Sequence, residues 1–217
     1  AIETGIAQST GELIVTTDAD CSVQPLWLSA IASAYKKNKP AIIVMPVAID
    51  CGMRFIEIFQ ALDFMTLQGI TGAGVQQKLH SMGNGANLAY TRNAFESVNG
   101  FTGIDHIASG DDMLLLHKIR SRFPGGVHYI KAKEVIVYTQ PVVSVSDFFQ
   151  QRIRWASKAG SYKDKSLFPV LLVVYLLNLL LLLTPFASLL DNGKIHFAQY
   201  EFSLLSAWLL LILIKTI

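Results

Sequence analysis

Along the first 143 residues, apolar positions come either as short continuous runs or as helical stripes, and from Leu167 onward the apolar character is nearly unbroken. Glu12 to Thr17 (ELIVTT) is a short apolar run ending on Asp18, Ala19 and Asp20, and it predicts a buried parallel strand. A helix should follow. Pro25 suits a first turn, Leu28, Ile31 and Tyr35 recur at helical spacing, and Lys36, Lys37 and Lys39 stand where cations favour the helix dipole. Ala41 to Val47 reads as a second strand, so strand, helix, strand opens an α/β layer.

Arg54 to Leu67 carries Phe55, Ile56, Phe59, Leu62 and Met65 in a helical pattern that is apolar over much of its circumference. Such a helix can pack on the sheet or lie on a membrane surface. Gly69, Gly72, Gly74, Gly83 and Gly85 then predict a glycine-rich loop, followed by a short helix from about Thr91 to Val98 that Asn99 and Gly100 can stop. Met113 to Arg120 predicts another helix, Val127 to Tyr138 one or two strands, and Ser144 to Tyr162 a polar helix. Leu167 to Leu190 is 24 residues without a formal charge, and about 20 such residues span a bilayer core. A second apolar run covers about 198 to 217. No internal repeat or low-complexity linker interrupts this order.

Composition sharpens the picture. Apolar residues make up 52% of the 217 and charged ones only 16%, against roughly 25% charged in an average globular chain. The net charge of +2, with no Lys/Arg cluster interleaved with aromatic residues, excludes nucleic acid as the expected partner. The opening AIETGIAQSTGELIV has neither an initiator Met nor the features of a signal peptide, so both ends are expected to be cut points in a longer chain. Cys21 and Cys51 form no CxxC pair and read as reduced thiols, and the five histidines lack the spacing of a metal site.

Three groups of residues can carry chemistry. Asp18 and Asp20, at the carboxyl end of the first strand, can point at one hard cation whose other ligands are waters and phosphates. Alternatively Thr17 and Asp20 cap the next helix, because T-x-x-D is a capping pattern. Ser109, Gly110, Asp111 and Asp112 open a later helix, either as a capping box or as a general base at a cleft rim. Gln151, Arg154 and Trp155 share one helix face, where an amide, a guanidinium and an indole suit a sugar or a pyrophosphate. The alternative for that stripe is interfacial anchoring ahead of a membrane span.

Taken together and in this order, the elements resemble the family 2 glycosyltransferases of the cellulose synthase and chitin synthase type, from about Ala1 to the end of the chain. The matching positions are Asp18-Ala19-Asp20 for the family's D-x-D, GNGANLAYTRNAFESVNGF (Gly83 to Phe101) for its acceptor-side segment, Asp111-Asp112 for its base motif, and Gln151 to Trp155 for its Q-x-x-R-W. The family's base motif reads Thr-Glu-Asp or Glu-Asp, so Asp112 takes the base slot and Asp111 the Glu slot.

The resemblance implies a partial GT-A, Rossmann-like α/β fold with a mixed sheet, followed by C-terminal transmembrane helices. The expected divisions are 1–143 for the catalytic part, 144–166 for the Q-x-x-R-W helix and juxtamembrane segment, and 167–217 for the membrane region. It further implies an inverting transfer from a nucleotide-sugar donor to a hydroxyl of a glycan or lipid-linked acceptor. Asp18 and Asp20 would hold a divalent Mg or Mn, Asp112 with Asp111 would carry the base function, and Gln151, Arg154, Trp155, Gly85 and Asn87 would bind substrate. The family's first nucleotide-binding βαβ segment has no counterpart here, so this stretch alone is expected to be inactive. Arg152, Arg154, Lys158, Lys163 and Lys165 crowd the near flank of the first span. They predict a multi-pass protein of the cell (inner) membrane, in contact with lipid, with its catalytic region in the cytoplasm. Two other classes fit parts of the pattern. One is a membrane-anchored binding or assembly module whose acidic pairs are only helix caps. The other, a metal-dependent nucleotidyl or phosphoryl transferase, would want a phosphate loop that Gly72-Ala73-Gly74 does not complete.

Overall fold

The computed structural model describes residues 2–79, 82–104, 110–157, 167–190, 194–197, 200–203 and parts of 206–213. Ser109, residues 158–165 with Lys158, Lys163 and Lys165, and half of the second apolar run lie outside them. The chain forms two compact units, Ala1–Asp164 and Lys165–Ile217.

In the first unit, a short helix α1 (Ile2–Gln8) precedes strand β1 (Leu13–Thr16), helix α2 (Trp27–Asn38) and strand β2 (Ile42–Val44). β1 and β2 run in the same direction, as the strand, helix, strand reading requires, but they are not neighbours. Strand β4 (Leu88–Thr91) lies between them, antiparallel to both, with Leu13 opposite Thr91 on one side and Ile42 opposite Tyr90 on the other. The first strand, expected to be parallel to its neighbour, instead pairs only with antiparallel β4, and the sheet is mixed as expected, of order β1-β4-β2-β5, with β5 (Val127–Tyr129) parallel to β2 at the far edge. The fold is mixed α/β with a mixed sheet, consistent with the GT-A type.

Burial explains why β2 and β4 are central. Ile42, Ile43, Val44, Leu88, Ala89 and Tyr90 are all buried, which matches the near-continuous apolar runs of strands covered on both faces. Ile43 and Ala89 face a core completed by Trp27 and Ile31 of α2 with Met45, Val135 and Val137. On the opposite face, Val44 and Leu88 converge with Leu116 of α5 (Asp111–Arg122) around Gly83.

The single strand expected over Ala41 to Val47 divides at Pro46. Proline has no N–H for a ladder. Beyond it, β3 (Val47–Ile49) leaves the main sheet and pairs in parallel with β6 (Val137–Thr139). Helix α3 runs from Phe55 to Gln76 and absorbs Gly69, Gly72 and Gly74, three of the five glycines expected in a loop. Each helical glycine costs roughly 0.5–1 kcal/mol against alanine. At Gly72 the cause is close packing, since a Cβ would stand 2.8 Å from the Tyr129 ring. α3 therefore packs on the sheet, with Phe64 and Val75 buried, while Phe55, Leu62 and Met65 stay exposed. Buried Gln60 ties it to the chain before Ser144 through both ends of its amide, with Nε2 donating to Val142 O at 3.0 Å and Oε1 accepting from Val142 N at 3.1 Å.

Helix α4 (Arg92–Ser97) is capped by Thr91, whose hydroxyl accepts from Ala94 N at 3.0 Å, and α6 (Val145–Ala156) is capped by Ser144, which accepts from Asp147 N at 3.0 Å. In the second unit, α7 covers Leu167–Leu190 with Pro185 inside it, and the Thr184 hydroxyl donates to Leu180 O at 2.6 Å beside that proline. Several α7 side chains lie outside the described residues. Among the described residues, no helix is long and apolar enough to cross a membrane. A hairpin of β7 (Lys194–Phe197) and β8 (Tyr200–Ser203) occupies the start of the second expected span.

Candidate active site

β1 ends at Thr16 and delivers Asp18 and Asp20 into a turn that the Cys21 N–H closes on Asp18 O at 3.1 Å. Asp18 and Asp20 are exposed, and one ligand atom from each of Asp18, Asp20 and Cys21 lies within 4.8 Å of the others. α2 begins only at Trp27, and its N-terminal residue Leu26 makes no side-chain cap, so Thr17 and Asp20 do not cap this helix. The carboxylates are therefore not accounted for by helix capping.

Charge repulsion marks the same place. Partial burial, then Asp20, Asp112 and Asp111 in that order, raise the proton affinity of Asp18 above that of an ordinary carboxylate. Asp20, Asp112 and Asp111, from two distant segments, thus all add to the effect of burial on Asp18, and a cation held there would relieve their repulsion. The donor set fits such a cation. Cys21 is a weaker candidate, because burial raises its thiol pKa even though a hydrogen bond from Thr139 acts the other way.

Asp111 and Asp112 occupy the first turn of α5, after Gly110 at φ 93°. The two diverge in surroundings. Asp112 accepts from Gly85 N through Oδ2 at 2.6 Å and from Met113 N through Oδ1 at 2.8 Å. Asp111 adds its charge to the burial that pushes the Tyr90 phenol up to about 12. Ser109, the other end of the proposed capping box, lies outside the described residues.

Gly85 opens a single 3₁₀ turn, Gly85–Asn87, which several elements grip. A Cβ on Gly85 would stand 3.2 Å from both Cβ and Oδ2 of Asp112, tight enough that the carboxylate would have to give by a few tenths of an ångström. Ala86 packs with Val47, Phe64 and Trp155. Asn87 is fully buried. Its Oδ1 accepts from Trp27 Nε1 at 3.1 Å, and its Nδ2 donates to Pro46 O and Val135 O, each at 2.7 Å. These contacts make Asn87 the tie between α2, the β2–β3 bend and the segment before β6.

Of the α6 stripe, Trp155 lies half-buried against the cluster of Val47, Phe64 and Ala86, with its ring 5.9 Å from that of Phe64, Gln151 is half-buried, and Arg154 is exposed. The residue that sequence reasoning passed over is Arg152. Its Nη2 pairs with Asp63 of α3 at 2.7 Å, and its guanidinium stacks between Phe148 at 4.7 Å and Trp155 at 4.4 Å. Burial lowers its pKa, and Asp63 partly offsets that. The available signal was its spacing, with Phe148 four residues before it and Trp155 three after, on one helix face.

No curated protein matches the sequence. The family model described as Glycosyl transferase family group 2 matches residues 13–217, which begins at β1 and takes in both carboxylate pairs and α6. The chain belongs to glycosyltransferase family 2 and is a glycosyltransferase.

Proposed function

We propose that this protein is a membrane-bound inverting glycosyltransferase that moves a sugar from a nucleotide-sugar donor to the hydroxyl of a glycan or lipid-linked acceptor. The observation that carries the reading is the shared neighbourhood of Asp18, Asp20, Asp111 and Asp112, assembled from β1 and α5 within a chain of this family. A divalent Mg or Mn ion held by Asp18 and Asp20 would neutralise charge on the leaving diphosphate. Asp112 takes the proton of the acceptor hydroxyl as its oxygen bonds to the anomeric carbon. The bond from that carbon to the phosphate oxygen breaks on the opposite face, and the nucleoside diphosphate departs. Trp155, backed by Ala86 and Phe64, offers a ring face for a sugar, while Gln151 and the exposed Arg154 offer polar contacts to hydroxyls and the diphosphate.

Residues 167–190 and part of 198–217 serve as membrane spans in this reading. It is supported by the 24 residues of α7, which carry no formal charge. A cytoplasmic catalytic unit is part of the same reading, supported by the basic flank from Arg152 to Lys165.

The test assays the natural full-length protein in membranes against UDP-glucose, UDP-N-acetylglucosamine and GDP-mannose, with and without EDTA. Transfer that needs Mg or Mn and is lost in Asp20→Ala supports the reading, and full transfer in excess chelator sinks it. A cysteine placed at Lys163 should react with impermeant maleimide only after the membrane is opened, and labelling of sealed cells would reverse the topology.

A further inference from the structure

We propose that Thr16 and Gly85 form a positioning bridge that fixes the base Asp112 relative to the Asp18–Asp20 strand, so that both sides of the reaction are set from one glycine. The proposal rests on the reading of Asp112 as the base. Its grounds are the two peptide groups flanking the Gly85 Cα. On one side, the Gly85 N–H donates to Asp112 Oδ2 at 2.6 Å. On the other, the Gly85 carbonyl accepts from Thr16 Oγ1 at 3.2 Å. Thr16 is the last residue of β1, two before Asp18, and its hydroxyl also lies 3.4 Å from the carbonyl of Leu88, its register partner on β4. One side chain thus reaches both ends of the turn that leads into β4.

A second contact holds the same segment to α5. Gly83 N donates to Met113 Sδ at 3.1 Å, so the chain from Gly83 to Gly85 is tied twice to the first turn of the base-bearing helix. The Asp112 carboxylate is anchored at both oxygens by N–H groups from different parts of the chain, Gly85 at one and Met113 at the other, and this fixes the plane of the carboxylate as well as its location. A general base must stand within hydrogen-bond reach of the acceptor hydroxyl while that oxygen lines up with the anomeric carbon, and a misplacement of about 1 Å can cost roughly 100-fold in rate. A Cβ at the pivot would press on Asp112 itself and move its carboxylate by a few tenths of an ångström. Thr16 and Gly85 are thus positioning residues acting through Asp112.

The test uses the natural full-length protein in detergent and compares Thr16→Val, Thr16→Ser, Gly85→Ala and Asp112→Asn. Thr16→Val keeps the shape of the side chain and removes the hydroxyl. It should lower kcat about 3- to 10-fold, the worth of one hydrogen bond, with the donor KM and the Mn2+ affinity (read by electron paramagnetic resonance) unchanged. Thr16→Ser should restore kcat. Gly85→Ala, which displaces Asp112 by a few tenths of an ångström, should lose roughly 3- to 10-fold in kcat with the same pattern. The donor is whichever of UDP-glucose, UDP-N-acetylglucosamine and GDP-mannose gives transfer. Hydrogen–deuterium exchange across Gly83 to Leu88 needs no donor, and Thr16→Val should speed exchange of the Gly85 amide at an unchanged melting temperature. If Asp112→Asn is inactive while Thr16→Val matches the parent in both kcat and exchange, the bridge is overturned and the base reading stands. If Asp112→Asn stays active, the base reading falls and takes the bridge with it. If Thr16→Val weakens Mn2+ binding in proportion to its lost rate, Thr16 serves the carboxylate strand rather than Asp112, and the bridge is again overturned.

Discussion

Asn87→Ala separates a framework role from a direct role in substrate binding. The substitution removes three hydrogen bonds from a fully buried position and leaves the Trp27 indole N–H and the carbonyls of Pro46 and Val135 without their partner. Each buried polar group stranded this way costs about 1–3 kcal/mol, and neighbouring losses are not additive, so a total of about 4 kcal/mol is expected. In a unit of this size each kcal/mol moves Tm by roughly 2–4 °C, which gives a fall of about 12 °C. Asn87→Asp should be worse, because a carboxylate would face two carbonyl oxygens where the amide now donates. A thermal melt of the detergent-solubilised full-length protein, followed by tryptophan emission, checks both variants, and Trp27 reports from the site itself. At a temperature well below the lowered Tm, the donor KM of Asn87→Ala should match the parent's. If Asn87→Ala melts within about 2 °C of the parent while its donor KM rises, Asn87 acts on substrate and the burial argument is wrong.

Asp112→Asn should lower turnover by roughly two to four orders of magnitude with little change in donor KM, and Asp111→Asn should cost less; the reverse order in steady-state kinetics would move the base by one residue. Asp18, whose folded pKa is raised, contributes stability that is complete below the ordinary value of 3.8 and is lost as pH rises through the raised one. In EDTA at pH 7 its charge is therefore a small cost, and because the group is exposed and screened, Asp18→Asn should gain only about 0.2–1 kcal/mol, seen as a slightly higher Tm. Added Mn2+ should raise the Tm of the parent and leave Asp18→Asn unmoved, and an equal rise in both would place the ion elsewhere. Arg152→Ala should cost about 1–3 kcal/mol by removing the stacking on Phe148 and Trp155 together with the Asp63 pair, with Trp155 emission becoming more accessible to iodide; unchanged quenching would mean that α6 is held without it.

The parts of the fold that the sequence made legible are those with a local cause. β1, α2, α5 and α6 each carry their own period or cap; the structure forms the first three close to the expected bounds and starts α6 where Ser144 predicts, but α6 ends at Ala156 and the rest of the expected stretch to Tyr162 lies almost wholly outside the described residues. β4 had no such local signature. It is four residues long, lies between a glycine-rich turn and a capped helix, and gains its stability from partners far away in the chain, Leu13–Thr16 and Ile42–Val44. α3 was cut short for the opposite reason. Its glycines argue for a loop on propensity, but close packing at Tyr129 outweighs the cost at Gly72, and for Gly69 the structure offers no such contact.

The candidate site divides along the same line between residue identity and connection. Asp18, Asp20, Asp111 and Asp112 are visible in sequence because carboxylates at strand and helix ends are few and chemically distinct. What those carboxylates touch depends on contacts that no local pattern encodes. An asparagine in a glycine-rich segment looks the same whether its amide meets a sugar or, as with Asn87, three groups of the protein interior. An arginine inside Q-x-x-R-W looks like filler until Phe148 and Trp155 are seen to enclose it. Asp112 and Asp111, adjacent and alike in charge, differ in what they touch, and one of the contacts that sets Asp112 apart is the N–H of a glycine 27 residues away. A catalytic carboxylate needs a fixed plane as well as a charge. The backbone donors at Gly85 and Met113 fix that plane for Asp112, which is the geometry its proposed role as base would need.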